Sequence, residues 1–293
     1  EMFFAVAVSL VSGADTALIY DTLQATQEEH RYQAVYGKIL FYNLLGIAFA
    51  NIVGGLLAKV NFRVTFYAAL PFFLLLAPTA CLLREPPRKK LLVPKGYLPE
   101  LVNIMKYSFI QNPRLRWLII YSGVILGLNN AAVWLYQPYF KLSGLDVAYF
   151  GLAFASFQIV AAFSSKYAYK IEQFLGAKFS LILLVVFAGV SYLLMGHFIF
   201  RLSFAFAFLQ QFVRGFSQIV ITDYINQLTE SDRRATVLSA QSLMVRLFYA
   251  MIIPIAGKIA DVYSLILALK ILGVTTVIVG VLLLAILHRD RVL

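Results

Sequence analysis

Apolar residues in this chain are grouped in long unbroken runs, which short polar stretches separate. Nine runs of 19 to 26 residues can be marked, at 2–20, 39–58, 64–83, 117–136, 147–165, 179–199, 202–222, 237–257 and 262–287. A helix needs ~20 apolar residues to cross ~30 Å of hydrocarbon. None of the runs alternates with the period of two that marks a membrane barrel strand. The pattern therefore predicts an all-α membrane protein with nine transmembrane helices.

Composition agrees with this pattern and excludes several classes of function. The hydrophobic fraction is 61% and the charged fraction 13%, against about 45–50% and about 25% in soluble domains. The single cysteine, Cys81, lies inside an apolar run, so it excludes an intrachain disulfide or a cysteine metal cluster. No phosphate-binding glycine loop, paired Cys/His spacing or nucleophile elbow is present. We therefore expect no metal, no cofactor and no catalytic residue, and predict that the chain is not an enzyme.

The net charge of +11 resides mainly in the loops. Loops after the odd-numbered runs hold 17 of the 25 Lys and Arg residues, and loops after the even-numbered runs hold 5. Because Lys and Arg collect on the cytoplasmic side of a membrane, this split predicts a multi-pass protein of the cell (inner) membrane with a cytoplasmic C-terminus. It also explains the charge without nucleic acid, so we expect the lipid bilayer and no nucleic acid as partner.

The longest loop, 84–116, divides the chain. Its apolar residues recur at helical spacing after a Pro- and Lys-rich start, which predicts an amphipathic helix at 98–111 on the inner membrane surface. We expect residues 1–83 to form three helices of a first bundle, 84–116 a central cytoplasmic loop, and 117–293 a second bundle of six helices.

An internal repeat appears when the chain is compared with itself at an offset of 202 residues. Apolar matches are common in membrane segments, so the evidence for the repeat is the matches between polar residues and between glycines. These matches pair Gly13 with Gly215, Asp21 with Asp223, Glu28 with Glu230, Arg31 with Arg233 and Gly55 with Gly257. Runs one to three thus correspond to runs seven to nine, and runs four to six have no partners. The repeat predicts two halves of six helices, of which nine helices are present. The first residue, Glu1, and an N-terminus outside the cell also led us to expect a sequence truncated at its N-terminus.

Several motifs resemble those of bacterial major facilitator superfamily transporters, from the fourth to the twelfth helix of that family. The residues that carry the resemblance are 12–21 (SGADTALIYD), Gly54-Gly55, 112–117 (NPRLRW), 136–140 (YQPYF), Arg214-Gly215 and 232–239 (DRRATVLS). The resemblance implies a two-bundle transporter fold and secondary active transport of a small solute by alternating access. It further implies coupling to an ion, for which we expect the proton, and we favour efflux of drug-like solutes over nutrient uptake and a monomer over an oligomer.

Polar side chains inside the apolar runs are candidates for substrate binding, because a charge at the membrane centre costs about 2.5–3.5 kcal/mol on insertion scales. We select Asp15, Asn129, Asn130, Trp134, Gln210, Gln211 and Arg214, with Gln158 as a further polar position. Arg214 lies close to the middle of its run, and we predict that it faces a central cavity. The alternative is a structural ion pair, for which Asp15 would be the partner. For the asparagines and Trp134 the alternative is packing between helices.

Charged residues near helix ends form a second group. The resemblance implies that Asp21, Arg31, Asp223, Arg233 and Arg246 make gate or structural contacts between the two halves, as does Arg234. Ordinary solvated loop charge is the alternative for this group. Arg246, which lies inside its run, is expected either to pair with Asp223 or to bind substrate. For the whole protein, the alternatives to a carrier are a membrane sensor or scaffold derived from a transporter, and a membrane-embedded enzyme.

Overall fold

The computed structural model describes residues 14–82, 106–146, 149–231 and 233–290, without the side chains at 14, 15, 55, 56, 58–60, 62 and 77. Within these ranges the chain is helical between short turns and contains no strand. The helices are α1 Ala14–Ala25, α2 Tyr32–Val60, α3 Phe62–Cys81, α4 Pro113–Leu142, α5 Phe150–His197, α6 Ala207–Gln227, α7 Arg234–Val262 and α8 Leu265–Arg289. Single 3-10 turns lie at Glu29–Arg31 and Ser203–Phe206, and a π-helical turn at Tyr107–Gln111.

Seven helical segments in the described ranges are long and apolar enough to cross a membrane. Large apolar side chains also lie on their outer surfaces, among them Phe72 at 73% exposure and Leu282 at 59%. A water-facing surface would make such exposure unfavourable, whereas lipid tails accommodate it. The all-α membrane architecture predicted from the apolar runs is thus confirmed. For the first predicted span, only the part from Ala14 onward lies within the described residues.

Helix α5 joins two of the predicted spans. Its 48 residues would measure ~72 Å as one straight helix, more than twice the hydrocarbon thickness. The helix is interrupted at Gly176, whose φ of 72° and ψ of 171° are compatible only with glycine. The two parts, 150–175 and 177–197, are each long enough to cross the membrane. The stretch between the predicted spans, 166–178, is therefore mostly helix and not loop.

Side-chain caps fix where several helices begin. Asn112 accepts a hydrogen bond from the backbone N–H of Leu115 at 3.1 Å, and Pro113 occupies the first turn of α4, where its missing N–H costs nothing. Asn61 and Ser264 cap α3 and α8 in the same way. Helix α4 consequently begins at residue 113, four residues before the start of the apolar run at 117. Of the amphipathic helix predicted at 98–111, residues 98–105 lie outside the described residues, and the rest is the π-helical turn Tyr107–Gln111.

The internal repeat recurs in the helix bounds. Adding 202 to the ends of α2, residues 32 and 60, gives 234 and 262, which are the ends of α7. Adding 202 to 25, the end of α1, gives 227, the end of α6. The repeat seen in the sequence therefore extends to local structure. That the two helix triplets follow the same path in space stays a prediction.

Several contacts join the helix ends for which the Lys and Arg distribution predicts the same, cytoplasmic side of the membrane. Arg234 reaches Asp21, Tyr224 reaches Glu172, and the Arg233 guanidinium lies over the ring of Tyr107 at 4.8 Å. A cavity between the start of α4 and the end of α8 lies on the same side and is lined by Arg114, Arg116 and Arg289, among others. We refer to this side, with loops 26–31 and 228–233, the start of α4, Gly176 and the end of α8, as the basic end.

Candidate functional site

A close approach of two helices positions the central polar residues. Gly215 on α6 faces α5 so closely that a Cβ atom there would lie 2.1 Å from the carbonyl oxygen of Ala161 and 2.2 Å from Ser164 Oγ. Only glycine permits this separation, a device common between membrane helices. The residue before it, Arg214, is thereby held beside Gln158, which lies almost one turn from Ala161 on α5.

Arg214 donates a hydrogen bond from Nη2 to Oε1 of Gln158. Its side chain is partly exposed, and no described carboxylate lies within ion-pair distance of it. The side chain of Asp15, the partner considered from the sequence, is not among those described. Among the described side chains, Arg214 therefore has one neutral partner for its five N–H donors, and that partner leaves most of its hydrogen-bonding capacity available.

Tyr136 on α4 connects the two neighbouring glutamines of α6. Its hydroxyl donates to Gln210 Oε1 at 2.7 Å and accepts from Gln211 Nε2 at 2.9 Å. Both glutamines are buried, yet Gln210 Nε2 and Gln211 Oε1 have no hydrogen-bond partner among the described residues. A buried polar group without a partner costs about 1–3 kcal/mol, and such a group is a place where a bound molecule can supply the missing partner.

Aromatic rings surround this polar group. The ring of Tyr136 lies 5.0 Å from that of Phe157 and 6.4 Å from that of Phe154, measured between centroids. Phe140 contacts the same rings at 5.9 Å and 5.6 Å. We call Arg214, Gln158, Tyr136, Gln210 and Gln211 the central polar cluster. Its chemistry is one cation and several amide and hydroxyl groups against an aromatic wall.

The three candidates on α4 are placed differently from one another. Asn129 is buried, and its Oδ1 has no hydrogen-bond partner in the part of the chain that the structure describes. Asn130 is partly exposed, and Trp134 is 65% exposed and donates from Nε1 to the hydroxyl of Tyr249 on α7. Trp134 therefore joins α4 to α7 and lies outside the hydrogen-bonded central polar cluster. That Trp134 contributes to substrate binding stays a prediction.

At the basic end, Asp21 and Arg234 form an ion pair between α1 and α7. Their side chains are only 5% and 3% exposed. Ser231 Oγ donates to the same Asp21 oxygen at 3.0 Å, Arg234 donates to the carbonyl of Thr229 at 3.1 Å, and the guanidinium lies 4.1 Å from the ring centroid of Tyr20. This pair joins the first three helices to the last three.

A second connection between the halves is made by Asp223. Its Oδ2 accepts hydrogen bonds at 2.8 Å from Gln33 on α2 and from Gln227 on its own helix. Asp223 is the repeat equivalent of Asp21, and each carboxylate reaches the first turn of a helix in the opposite half. The connections differ in charge, since no basic side chain of the described residues lies within ion-pair distance of Asp223. We call Asp21, Arg234, Asp223 and Gln33 the basic-end gate.

The other predicted gate residues lie outside this group. Arg31 is exposed and pairs with Glu28 three residues away. Arg233 lies over the Tyr107 ring. Arg246 is exposed on α7 and does not pair with Asp223. Sequence reasoning missed Gln33 and the connecting role of Tyr136, because each acquires its role only from a residue more than 70 positions away.

An aromatic path connects the two sites. Gln218, one turn after Arg214, donates to the hydroxyl of Tyr36 at 3.1 Å. The rings of Tyr36 and Tyr32 stack at 5.4 Å, and those of Tyr32 and Tyr20 lie 5.0 Å apart. Tyr20 contacts Arg234 of the gate. Packed side chains therefore connect the central polar cluster to the basic-end gate.

Comparison with known families gives one finding. The family model described as Major Facilitator Superfamily matches residues 2–171 and, in a second overlapping match, residues 119–293. Together the two matches cover nearly the whole chain. The comparison with curated proteins gives no match.

Proposed function

This chain belongs to the major facilitator superfamily and is a multi-pass membrane transporter, and from that premise we propose that it moves a small solute by alternating access through the central polar cluster. In such carriers two helical halves rock about a site near the membrane midplane. The observation that carries the proposal is Arg214, an intramembrane cation that is partly exposed and has no described carboxylate partner. Intramembrane charges in proteins mark substrate or ion pathways.

The cluster suits a particular class of solute. The Arg214 guanidinium and the free Gln210 Nε2 offer hydrogen-bond donors to an anionic or acceptor group, and the free Gln211 Oε1 offers an acceptor. The surrounding rings of Phe140, Phe154 and Phe157 offer apolar and aromatic surface. We therefore propose an amphipathic, drug-like solute with at least one acceptor group. Asp15, Asn129 and Asn130 remain proposed contributors to the same site, and this chemistry is the reason we favour efflux over nutrient uptake.

The basic-end gate gives the second element of the mechanism. Two pseudo-equivalent carboxylates hold opposite halves together, so separating the halves at this end requires both connections to break. In and beside the closed gate, several buried polar atoms have no hydrogen-bond partner within the described ranges, namely both amide atoms of Asn226, Gln33 Oε1 and Arg234 Nε. Water would form hydrogen bonds with these atoms when the gate opens. The free-energy difference between the closed and open states is therefore smaller than it would be if every polar atom of the closed gate were paired.

The proton is proposed as the coupling ion. Asp223 is buried and its described partners are neutral amides, so it is a carboxyl group that can exchange a proton without breaking an ion pair. We further propose that the basic end faces the cytoplasm of a cell with an inner membrane, in keeping with the positive-inside rule, and that the protein works as a monomer. Proton flux in vesicles, measured with a pH-sensitive dye and compared with an Asp223→Asn variant, tests the coupling.

The test of the function is transport by the full-length protein in proteoliposomes. A panel of amphipathic solutes is screened for flux, and the positive solute is repeated with Arg214→Gln, Arg214→Lys and, as a matched control, Arg63→Gln at the exposed start of α3. We expect flux in wild type and in Arg63→Gln, and loss in Arg214→Gln. Retention in Arg214→Lys would show that charge suffices, whereas loss would show that the planar guanidinium is required.

Two outcomes would contradict the proposal. Wild-type flux by Arg214→Gln would remove the arginine from the mechanism. Saturable solute binding by the wild type without any flux would favour the sensor or scaffold interpretation over a carrier.

A further inference from the structure

Lys166 lies deeper along its helix than the apolar run indicated. The first part of α5 continues to Gly176, so Lys166 is ten residues, or ~15 Å, from that end of the helix. Lys166 is therefore part of a continuous helix, and its side chain projects from the helix surface and not from a loop.

Lys166 also adjoins a close approach of α2 and α5. A Cβ atom on Gly37 of α2 would lie 2.4 Å from the carbonyl oxygen of Ser165 and 3.7 Å from the Cα of Lys166. Ser165 Oγ donates to the carbonyl of Gly37 at 3.4 Å. The lysine is thus fixed at the crossing of α2 and α5, with little freedom to move sideways.

Aromatic rings surround the ammonium groups at this crossing. The Lys166 Nζ lies 4.5 Å from the ring centroid of Phe41 and 5.7 Å from that of Tyr167, and Lys170 Nζ lies 5.8 Å from Tyr167 and 5.9 Å from Tyr169. No carboxylate in the described ranges pairs with either lysine. The nearest acid along the helix, Glu172, accepts instead from Tyr224.

The two positive charges at this site favour the binding of an anion. Lysines four residues apart share a helix face and repel each other. Cation–π contacts return about 0.5–2 kcal/mol each, but rings accept no full hydrogen bond. Two ammonium groups therefore present several N–H donors on one face with no described acceptor of opposite charge.

We propose that Lys166 and Lys170 bind the phosphate of an anionic phospholipid where α2 crosses α5. Three arguments select a lipid. The site opens to the membrane side of the bundle, as the exposures of Phe163 at 47%, Tyr167 at 41% and Tyr42 at 70% show. These apolar and aromatic surfaces can hold acyl chains beside the phosphate. Basic pockets between membrane helices bind anionic headgroups in this manner.

The test measures lipid binding directly and does not depend on transport. The full-length protein is purified in detergent with equal amounts of phosphatidylglycerol and phosphatidylcholine, and bound lipid is counted by native mass spectrometry. We expect wild type to retain several-fold more phosphatidylglycerol than phosphatidylcholine. The Lys166→Gln/Lys170→Gln double variant should lose this preference, and the double Lys→Arg variant should keep it.

Two further variants make the result specific. Lys178→Gln removes an exposed lysine from the same end of the same helix but away from these rings, and it should retain the wild-type preference. Lys170→Gln alone changes only an exposed side chain, so it folds even if the double variant does not, and it should reduce the preference in part.

Three results would overturn the proposal. Wild type could show no preference for the anionic lipid, or both Lys→Gln variants could retain the wild-type preference. Displacement of the bound lipid by millimolar glycerol phosphate would instead identify a site for a soluble anion.

Discussion

Replacing Arg234 by glutamine should open the basic-end gate. Arg234 and Asp21 are 3% and 5% exposed, so the variant removes the Arg234 cation from a buried carboxylate. Removing one partner of a buried pair costs about 3–5 kcal/mol. Since Asp21 regains water when the gate opens, most of this cost falls on the closed state alone. Taking the lower figure, ~3 kcal/mol shifts the closed-to-open ratio by about 150-fold toward the open state.

Electron-spin distance measurements can follow this shift. Cys81 is the only cysteine and is exposed, so a Cys81→Ser background permits labels at Thr26 and Glu230, which lie in the two loops of the basic end. We expect one short distance in wild type and a longer, broader distribution in Arg234→Gln. A double Asp21→Asn/Arg234→Gln variant should restore much of the short distance, because two neutral groups leave no unpaired charge.

The matched control is Arg31→Gln. Arg31 lies in the same loop region but forms an exposed pair with Glu28, and exposed pairs contribute about 0–1 kcal/mol. Its distance distribution should equal that of wild type. Identical distributions for Arg31→Gln and Arg234→Gln would refute the assignment of Arg234 to the gate.

Three further changes test the packing and the central polar cluster. Gly215→Ala places a methyl group 2.1 Å from an α5 carbonyl oxygen, so overpacking of about 1–3 kcal/mol should lower the melting temperature in detergent. Its control, Gly257→Ala, adds a methyl group that meets no described atom within 4 Å and should leave the melting temperature unchanged. Equal melting temperatures for the two variants would be inconsistent with the close approach. Tyr136→Phe removes the hydroxyl shared by two buried glutamines and should weaken solute binding about tenfold, the equivalent of ~1.4 kcal/mol, while Tyr42→Phe, 70% exposed, serves as its control in the same binding assay. Gln33→Ala breaks the neutral connection to Asp223 and should lengthen the same spin-label distance less than Arg234→Gln does; a larger effect would mean that the neutral connection dominates the gate.

The fold could be predicted largely from the apolar runs, because the membrane imposes one length and one type of structure on every span. The apolar runs predicted a loop incorrectly where a helix continues past the end of its run. Residues 166–175 are polar enough to be interpreted as a loop, yet they continue α5 until Gly176 interrupts it. The position of Lys166 within a helix was missed for this reason.

The sites could be predicted only in part. Arg214 and its glutamine neighbours were recognisable, because a charge in an apolar run is costly wherever it points. The arginine that pairs with Asp21 could not be identified from the neighbouring sequence, because Arg31, Arg233 and Arg234 have similar neighbours. The choice of Arg234 depends on how the first turn of α7 packs against α1, a contact between residues 213 positions apart.

The most direct test of alternating access is the side from which the middle of α6 can be reached. Gln218 is exposed, one turn from Arg214 toward the basic end, and a Gln218→Cys variant in the Cys81→Ser background can be alkylated by a membrane-impermeant maleimide from either side of oriented vesicles. With the gate closed, we predict labelling from the side opposite the basic end. Labelling from the basic end should appear when Arg234→Gln is added or when a transported solute drives turnover. Equal labelling from both sides under all these conditions, or none from the basic end in Arg234→Gln, would contradict the account.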